Sequence, residues 1–283
     1  MAGTGSSGTG SNALNQPHCV YIGINDTIYV CDTENHRIQA FQQGSSTGNT
    51  VAGGSGSGNS VIQLHQPVGM TFDKNGNLYV ADKQNNRVQQ FSPGSMTGTT
   101  VAGSGSSGNL MNQLNQPIGV AVDENLFIYV TDWGNGRVMK YSQNSTTGSD
   151  AFPGGSFTNP FGIYIQNGSA SHIYTSDTNT KRVQLQSSGA SNANFTITDA
   201  GNANWNEPAG IILDLYGNIY VADYQNKKVK MCCAGSTNCT TVIDGNSPSP
   251  TLLDSPYSIA LDSKLNLYVT SKSDSSVYRY DQY

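Results

Sequence analysis

The stretch Asn115–Tyr141 reads NQPIGVAVDENLFIYVTDWGNGRVMKY and contains the pattern that decides the fold. Apolar residues alternate with other residues after Pro117, and two further apolar runs follow, one around Tyr129 and one ending at Tyr141. Polar segments such as 123–125 separate the runs. Alternation of this kind, with β-branched and aromatic residues between turn residues, predicts three antiparallel strands and no helix.

The same pattern occurs six times along the chain. The prolines that open the copies are Pro17, Pro67, Pro117, Pro160, Pro208 and Pro256. A repeat of about 40 to 50 residues with four strands is typical of a β-propeller blade. One blade cannot bury both faces of its sheet, whereas a closed ring of blades does so and removes long exposed edges. We therefore predict one all-β domain over residues 1–283, a six-bladed β-propeller with four-stranded antiparallel blades.

Three short motifs recur inside the copies. They are Pro-x-Gly, Tyr-Val-x-Asp and Asn-x-Arg-Val, as in Pro67–Gly69, Tyr79–Asp82 and Asn85–Val88. Together they resemble the NHL repeat, and the resemblance covers essentially the whole chain. It implies the same six-bladed fold, but it does not specify a function, because propellers carry many unrelated functions.

The two ends of the sequence suggest how the ring closes. Residues 1–3 align with Val51–Gly53 and Val101–Gly103, which end outer strands, whereas Val277–Tyr283 reads as a third strand with nothing after it. Propellers commonly close by pairing their first and last strands in one blade. We expect the sixth blade to lack a full outer strand, and the segment to be a monomeric piece of a longer protein.

The repeated Asp and Arg form a regular charge pair, as in Asp82 with Arg87 and Asp132 with Arg137. Because a catalytic site usually breaks a repeat, we interpret both as structural. The Asp is predicted to cap the turn after the second strand, while the Arg stem packs on the neighbouring blade. The Gly/Ser segments 53–60 and 103–109 are predicted to be flexible surface loops between blades.

The positions at which the copies differ predict the functional surface. The residue after each opening proline should lie near the entrance of the central channel, and the loop after the repeated Asp should lie on the same face. Aromatic residues are enriched in binding hot spots. We therefore expect binding residues at His18, Trp133, Phe161, Tyr224 and Tyr257. The alternative is that the rings lie flat on neighbouring blades as packing.

Composition argues against several classes of function. The formal net charge is −5, and the cations are scattered rather than clustered in a basic patch, which argues against a nucleic-acid partner. No apolar run is long enough to span a membrane. The four histidines occupy different positions of the repeat, so no three-histidine zinc site is expected. We predict no metal and no cofactor.

The cysteines suggest cross-links. Cys19 and Cys31 fall opposite each other on adjacent predicted strands, within reach of a disulfide. Across a later turn, Cys232 or Cys233 could bridge to Cys239. The alternative is that they are buried free thiols. A Cys19–Cys31 bridge would favour an extracellular location, and otherwise the compartment stays open.

These patterns predict a non-enzymatic scaffold that binds a protein or peptide on the channel-entrance face. In some proteins of the family that the motifs resemble, such a propeller selects targets for ubiquitin transfer, so this chain could be the recognition part of a larger protein. The alternative is a lyase or hydrolase in the channel that uses His18, because the peptide-amidating lyase resembles this family in fold. An RNA-binding propeller is a third hypothesis.

Overall fold

The computed structural model describes residues 2–168, 172–190, 192–193, 195–198, 205–246 and 253–281. Within these residues, six small antiparallel sheets stand in a ring. The predicted six-bladed β-propeller is therefore confirmed. No helix in the described part of the chain is long and apolar enough to cross a membrane.

The first three blades each have four strands, which follow one another in chain order from the channel outwards. Blade 1 contains β1 (Pro17–Ile22), β2 (Ile28–Asp32), β3 (Arg37–Phe41) and β4 (Gly48–Gly53). Blade 2 contains β5 (Pro67–Phe72), β6 (Leu78–Asp82), β7 (Arg87–Phe91) and β8 (Gly98–Ala102). Blade 3 contains β9 (Pro117–Val122), β10 (Ile128–Asp132), β11 (Arg137–Tyr141) and β12 (Ser149–Asp150).

The last three blades follow the same order, except that the described residues of blade 6 form only three strands. Blade 4 contains β13 (Pro160–Ile165), β14 (Ile173–Asp177), β15 (Arg182–Gln186) and β16 (Phe195–Ile197). Blade 5 contains β17 (Pro208–Leu213), β18 (Ile219–Asp223), β19 (Lys228–Cys232) and β20 (Cys239–Asp244). Blade 6 contains β21 (Pro256–Leu261), β22 (Leu267–Ser271) and β23 (Ser276–Tyr280). Short 3-10 turns cover Ile24–Asp26, Thr33–Asn35, Lys83–Asn85, Trp133–Asn135 and Gln166–Gly168.

The strand register places both variable positions of the repeat at one end of the ring. In each blade the opening proline pairs with the last residue of the second strand, as in Pro17 with Asp32 and Pro256 with Ser271. The inner strands of neighbouring blades pack against one another around the axis. The start of every inner strand and the loop after every second strand therefore face the same mouth of the channel.

The ring closes in blade 6 through the first residues of the chain. The Ala2 N–H donates to the Val277 carbonyl at 3.3 Å, and the Val277 N–H donates to Ala2 at 2.9 Å. Ala52 pairs with Ile38 at the equivalent place in blade 1. The three-stranded sixth blade and the alignment of the N-terminus with an outer-strand end are thus confirmed. Residues 282–283, which were predicted to belong to the last strand, lie outside the described part of the chain.

A buried carboxylate at the end of the second strand joins separate parts of the chain. In blade 2, Asp82 is fully buried and accepts the backbone N–H of His65 at 2.7 Å. The Asn85 amide donates to it at 2.8 Å, and Arg87 Nε at 2.8 Å. Blades 1 and 3 repeat this arrangement. Burial raises the pKa of Asp82, although the hydrogen bonds favour its ionised form.

The guanidinium group of the repeated arginine fixes the segment that leads into its own blade. The Arg87 guanidinium donates to the carbonyl oxygens of Asn59, Ser60 and Gln63 at 2.8 to 3.1 Å. Arg137 does the same to the equivalent segment before blade 3. Hydrogen bonds from buried or half-buried guanidinium groups therefore hold these polar segments between blades in place.

The repeated tyrosine has a partner in the hairpin on the opposite face. The Tyr79 hydroxyl donates to Asp73 at 3.1 Å, and Asp73 also accepts the backbone N–H groups of Asn75 and Asn77. The same Asp–Tyr contact occurs in blades 3, 5 and 6. Each side of the propeller thus has its own repeated carboxylate that closes a turn.

We predict that Asp82→Ala destabilises the propeller by about 3–5 kcal/mol, because it leaves the buried Arg87 guanidinium without its carboxylate. Urea unfolding followed by circular dichroism measures the change. The control is Arg279→Ala, which removes an exposed ion pair with Asp281 and should cost at most about 1 kcal/mol. Equal effects of the two variants would contradict the structural role assigned to Asp82.

Candidate functional site

A cavity of about 460 Å³ lies at the mouth of the channel that the register defines. Every blade contributes to its walls. They include the residue after the opening proline in five blades, namely His18, Val68, Ile118, Phe161 and Tyr257. Lys83 and Trp133, which follow the repeated Asp in blades 2 and 3, complete one side. Two sets of positions that are far apart in sequence therefore form one site.

Four rings form what we call the Tyr257 cluster, defined as His18, Phe161, Tyr224 and Tyr257. The centre of the Tyr257 ring lies 4.6 Å from that of His18, 4.6 Å from that of Tyr224 and 5.4 Å from that of Phe161. The His18 and Tyr224 contacts are edge-to-face, a favoured geometry for aromatic pairs. Burial raises the pKa of Tyr257 to about 12, so its hydroxyl is neutral at physiological pH.

Trp133 lies at the mouth, separate from the Tyr257 cluster. Its ring packs against the hydrophobic core of blades 2 and 3 and also lines the cavity. Tyr224 packs in the same way against the core of blades 5 and 6. Both rings are half-buried. The packing expected as the alternative is therefore present for both rings, and Trp133 also keeps a face on the cavity.

His18 is held as a neutral ring. Its Nδ1 lies 3.0 Å from the Gln16 carbonyl oxygen and 3.0 Å from Thr33 Oγ1. A carbonyl oxygen only accepts, so Nδ1 carries the proton and Nε2 is left unprotonated. Burial, followed by the charge of Lys272, lowers the pKa of His18 to about 3. The imidazole is thus uncharged throughout the physiological range.

Lysines, including Lys83, Lys181 and Lys272, bring positive charge to this mouth, although Glu207 also lines the cavity and the protein as a whole is acidic. Lys83 Nζ lies 5.9 Å from the centre of the Trp133 ring, and Lys272 Nζ lies 5.3 Å from that of Tyr257. Neither lysine forms an ion pair with a carboxylate within the described residues. Burial, followed by the charge of Lys272, lowers the pKa of Lys83. The site therefore offers cations beside aromatic faces.

Behind the mouth, a second cavity of about 360 Å³ follows the inner strands. Its walls are mainly aliphatic side chains and glycines. Among the described residues, the lining includes no carboxylate, lysine or arginine. The polar side chains present include His18, Tyr164, Ser258 and the Cys19 thiol. The channel is therefore a mainly apolar space below a polar, aromatic mouth.

The cysteines divide into one bridge and three free thiols. Cys232 is bonded to Cys239, which confirms that one of the first two cysteines of that turn bridges across it. Cys233 is exposed and free. The expected Cys19–Cys31 bridge is absent from the structure, because both residues are free thiols even though they are register partners on β1 and β2.

The histidines are spread over the molecule. His36 and His65 face each other with ring centres 5.4 Å apart, away from the channel, and His172 lies before β14. Within the described residues, no group of three or more His, Cys, Asp or Glu side chains is placed to hold a metal ion.

Sequence reasoning placed the aromatic residues of the mouth but not its charges. Lys83 and Lys272 occupy the first position of the loop after the second strand, the same position that pointed to Trp133 and Tyr224. Glu207 and Asn159 line the cavity from positions just before the opening prolines. These residues could have been identified from their positions on the channel-entrance face, because their residue types alone do not mark them as lining a cavity.

The ring of six blades with a lined central channel defines the class: a six-bladed β-propeller. The NHL repeat family model matches residues 14–41, 64–91 and 114–141, which contain the first three strands of blades 1, 2 and 3. The first three blades are thus NHL repeats in a six-bladed propeller. No curated protein sequence matches it.

Several solved structures share the fold. A catalytically inactive virginiamycin B lyase from Staphylococcus aureus, solved with quinupristin, has 10% identity and a TM-score of 0.66, covering 98% of this chain and 87% of its own. A gluconolactonase from Xanthomonas campestris has 12% identity and a TM-score of 0.66, covering 93% and 85%. A protein of unknown function from Bacteroides thetaiotaomicron has 16% identity and a TM-score of 0.68, covering 99% and 73%. At these identities the likeness shows the fold alone.

We predict that His18 makes the propeller less stable in mild acid. Its pKa in the folded state, about 3, lies below the ordinary 6.5, so the unfolded chain binds more protons between these values and stability falls as pH decreases through that range. His18→Gln should therefore lose less stability than the wild type between about pH 7 and about pH 5. The wild-type ring signal, assigned in NMR spectra by its absence from the variant, should not titrate in this interval. Titration near 6.5 would show that the ring is solvated and not buried.

Proposed function

We propose that the channel-entrance face binds a peptide segment of a protein partner without chemical conversion. The observation that carries this proposal is the Tyr257 cluster, which places four rings from blades 1, 4, 5 and 6 beside an open cavity. Rings already packed against a rigid scaffold lose little conformational freedom on binding, which favours affinity. The binding residues are those at the mouth, with Trp133 on the side facing blade 2.

The lysines at the mouth indicate that the peptide carries negative charge. Lys83 and Lys272 form no ion pair within the described residues and stand against Trp133 and Tyr257. An acidic side chain or a terminal carboxylate would pair with them, while the rest of the peptide packs on the aromatic faces. We therefore expect acidic peptides with at least one aromatic or aliphatic anchor.

A channel lyase or hydrolase is the second candidate. His18 lies at the junction of the two cavities with Nε2 unprotonated, so it is the residue that could act as a base. A base works best when its pKa lies near the working pH, and that of His18 is about 3. No carboxylate is hydrogen-bonded to this ring within the described residues. These two properties favour binding over catalysis, although enzymes share the fold.

In a longer protein, such as a ubiquitin ligase, the same rigid recognition surface would supply target selection to the accompanying domains. The binding test below does not depend on such a setting.

We predict that peptides selected from a random phage-displayed library on the immobilised domain are acidic, and that they bind at this mouth. The double variant Trp133→Ala/Tyr224→Ala should weaken a selected peptide by at least about 30-fold in titration calorimetry, as expected for hot-spot residues. The matched control is Tyr216→Ala. Tyr216 is an exposed tyrosine in the β17–β18 hairpin on the opposite face, so binding should not change.

A second pair of variants separates charge from packing. Lys83→Met/Lys272→Met should weaken the same peptides and make their affinity nearly independent of salt, because the screened ion pairs are gone. Equal loss in the Tyr216→Ala control, or selection of no peptide above background, would reject this face as the binding site. Turnover of an ester or peptide panel by the wild type, abolished in His18→Gln, would instead establish the enzymatic candidate. Salt-dependent capture of single-stranded RNA would favour the third hypothesis.

A further inference from the structure

Four of the six inner strands obey a packing rule that blades 1 and 6 break. Two residues after the opening proline, four blades have glycine. A methyl group on Gly69 would lie 2.1 Å from the Ile118 carbonyl oxygen, and one on Gly162 would lie 2.4 Å from that of Ala209. Backbone meets backbone at this level, so a side chain is excluded there. At the equivalent positions blade 1 has Cys19 and blade 6 has Ser258. Blade 1 therefore has space for a thiol at a position where four of the six blades have no space for a side chain.

A second thiol faces it. Cys31 on β2 is the register partner of Cys19 on β1, and it is completely buried, whereas Cys19 is half-buried and lines the channel cavity. Directly opposed residues of antiparallel strands have Cα atoms about 4.5–5.5 Å apart, within the disulfide range. The same chain bridges Cys232 and Cys239, which are also register partners on adjacent strands. The geometry of blade 1 is therefore suited to the same bond.

The surroundings distinguish the two sulfurs. The Ser258 hydroxyl donates to Cys19 Sγ at 3.8 Å from the neighbouring blade. Hydrogen bonds from Cys31 and from the Met70 N–H lower the pKa of Cys19. Burial raises the pKa of Cys31 well above its ordinary value. Cys19 lines the channel and Cys31 is completely buried, so Cys19 is the sulfur that a small molecule can reach, and its lowered pKa favours the thiolate, which is the reactive form.

We propose that Cys19 and Cys31 form a reversible thiol–disulfide site in the channel wall, which reacts with small disulfides that enter the channel. The Cys19 thiolate attacks one sulfur of the small disulfide, breaks its S–S bond and releases one small thiolate, which takes up a proton. Cys31 then loses its proton and attacks the Cys19 sulfur of the mixed disulfide, so the second small thiolate leaves. The two protein thiols are oxidised to one S–S bond, and one small disulfide is reduced to two thiols.

This site is independent of peptide binding at the mouth. The bond would tie the first two strands of blade 1 together and remove the free thiol from the channel lining. Oxidation therefore changes the chemistry of the channel wall without requiring a rearrangement of the blade, since the two strands are already paired in the correct register.

The test uses oxidised glutathione and a Cys233→Ser background, in which the remaining free thiols are Cys19 and Cys31. After incubation and rapid alkylation, intact-mass spectrometry should show both thiols lost together with the mass of two hydrogens, and reduction should restore them. The natural replacements from other blades give matched variants. Cys31→Thr, as at Thr131, should stop at a stable Cys19–glutathione mixed disulfide. Cys19→Gly, as at Gly69, should leave Cys31 unmodified in the folded protein.

Other results would overturn the proposal. Two thiols that stay alkylatable at every glutathione ratio, or a Cys31 that reacts equally fast in Cys19→Gly, would mean that the pair is only packing. Alkylation in denaturant confirms that both thiols were present at the start, and the Cys232–Cys239 bridge serves as an internal standard. If either the Cys19 or the Cys31 variant fails to unfold cooperatively, the number of free thiols in the Cys233→Ser protein, which keeps both Cys19 and Cys31, still decides the outcome.

Discussion

The propeller depends on a carboxylate buried at the end of the second strand. In blades 1 to 3 this Asp accepts hydrogen bonds from a backbone N–H of the segment between blades, from an Asn side-chain amide and from an Arg guanidinium. Three pieces of chain that have little apolar surface are thereby fixed at one point. Burial opposes ionisation of the carboxyl, and the surrounding donors offset that cost. The segments between blades have too few apolar side chains to pack as a hydrophobic interface, so hydrogen bonds to this carboxylate hold them in place.

The same carboxylate connects the fold to the candidate site. The residue that follows it is the first of the loop at the channel mouth, where Lys83 and Trp133 stand. Anchoring the Asp and the Asn three residues later fixes both ends of that short turn. The mouth is therefore built from rigid positions whose side chains are free to differ from blade to blade. Such a division between a constant frame and variable positions lets one fold host many unrelated functions.

The spacing of Pro, Tyr and Asp was enough to predict the six blades, and the alignment of residues 1–3 with outer-strand ends predicted the three-stranded sixth blade. Strand register is a local property, and the alternation of residues specifies it. The hydrogen-bond partners of the Arg87 guanidinium could not be predicted, because they are carbonyl groups of a segment between blades that has no pattern of its own. The closeness of His18 to Tyr257 follows only when the ring closes. Register could place Cys19 opposite Cys31, but it could not say whether they are joined.

The glycines of the inner strands have a consequence for how such a molecule diversifies. At Gly69, Gly119 and Gly162 the main chain of one blade touches the main chain of the next. At that depth, main-chain atoms set the width of the channel. A side chain at one of these glycines would therefore push neighbouring blades apart before it changed the channel lining. Variation that preserves the ring is thus confined to its rim, together with the single sector beside Cys19 and Ser258 where the wall already admits side chains.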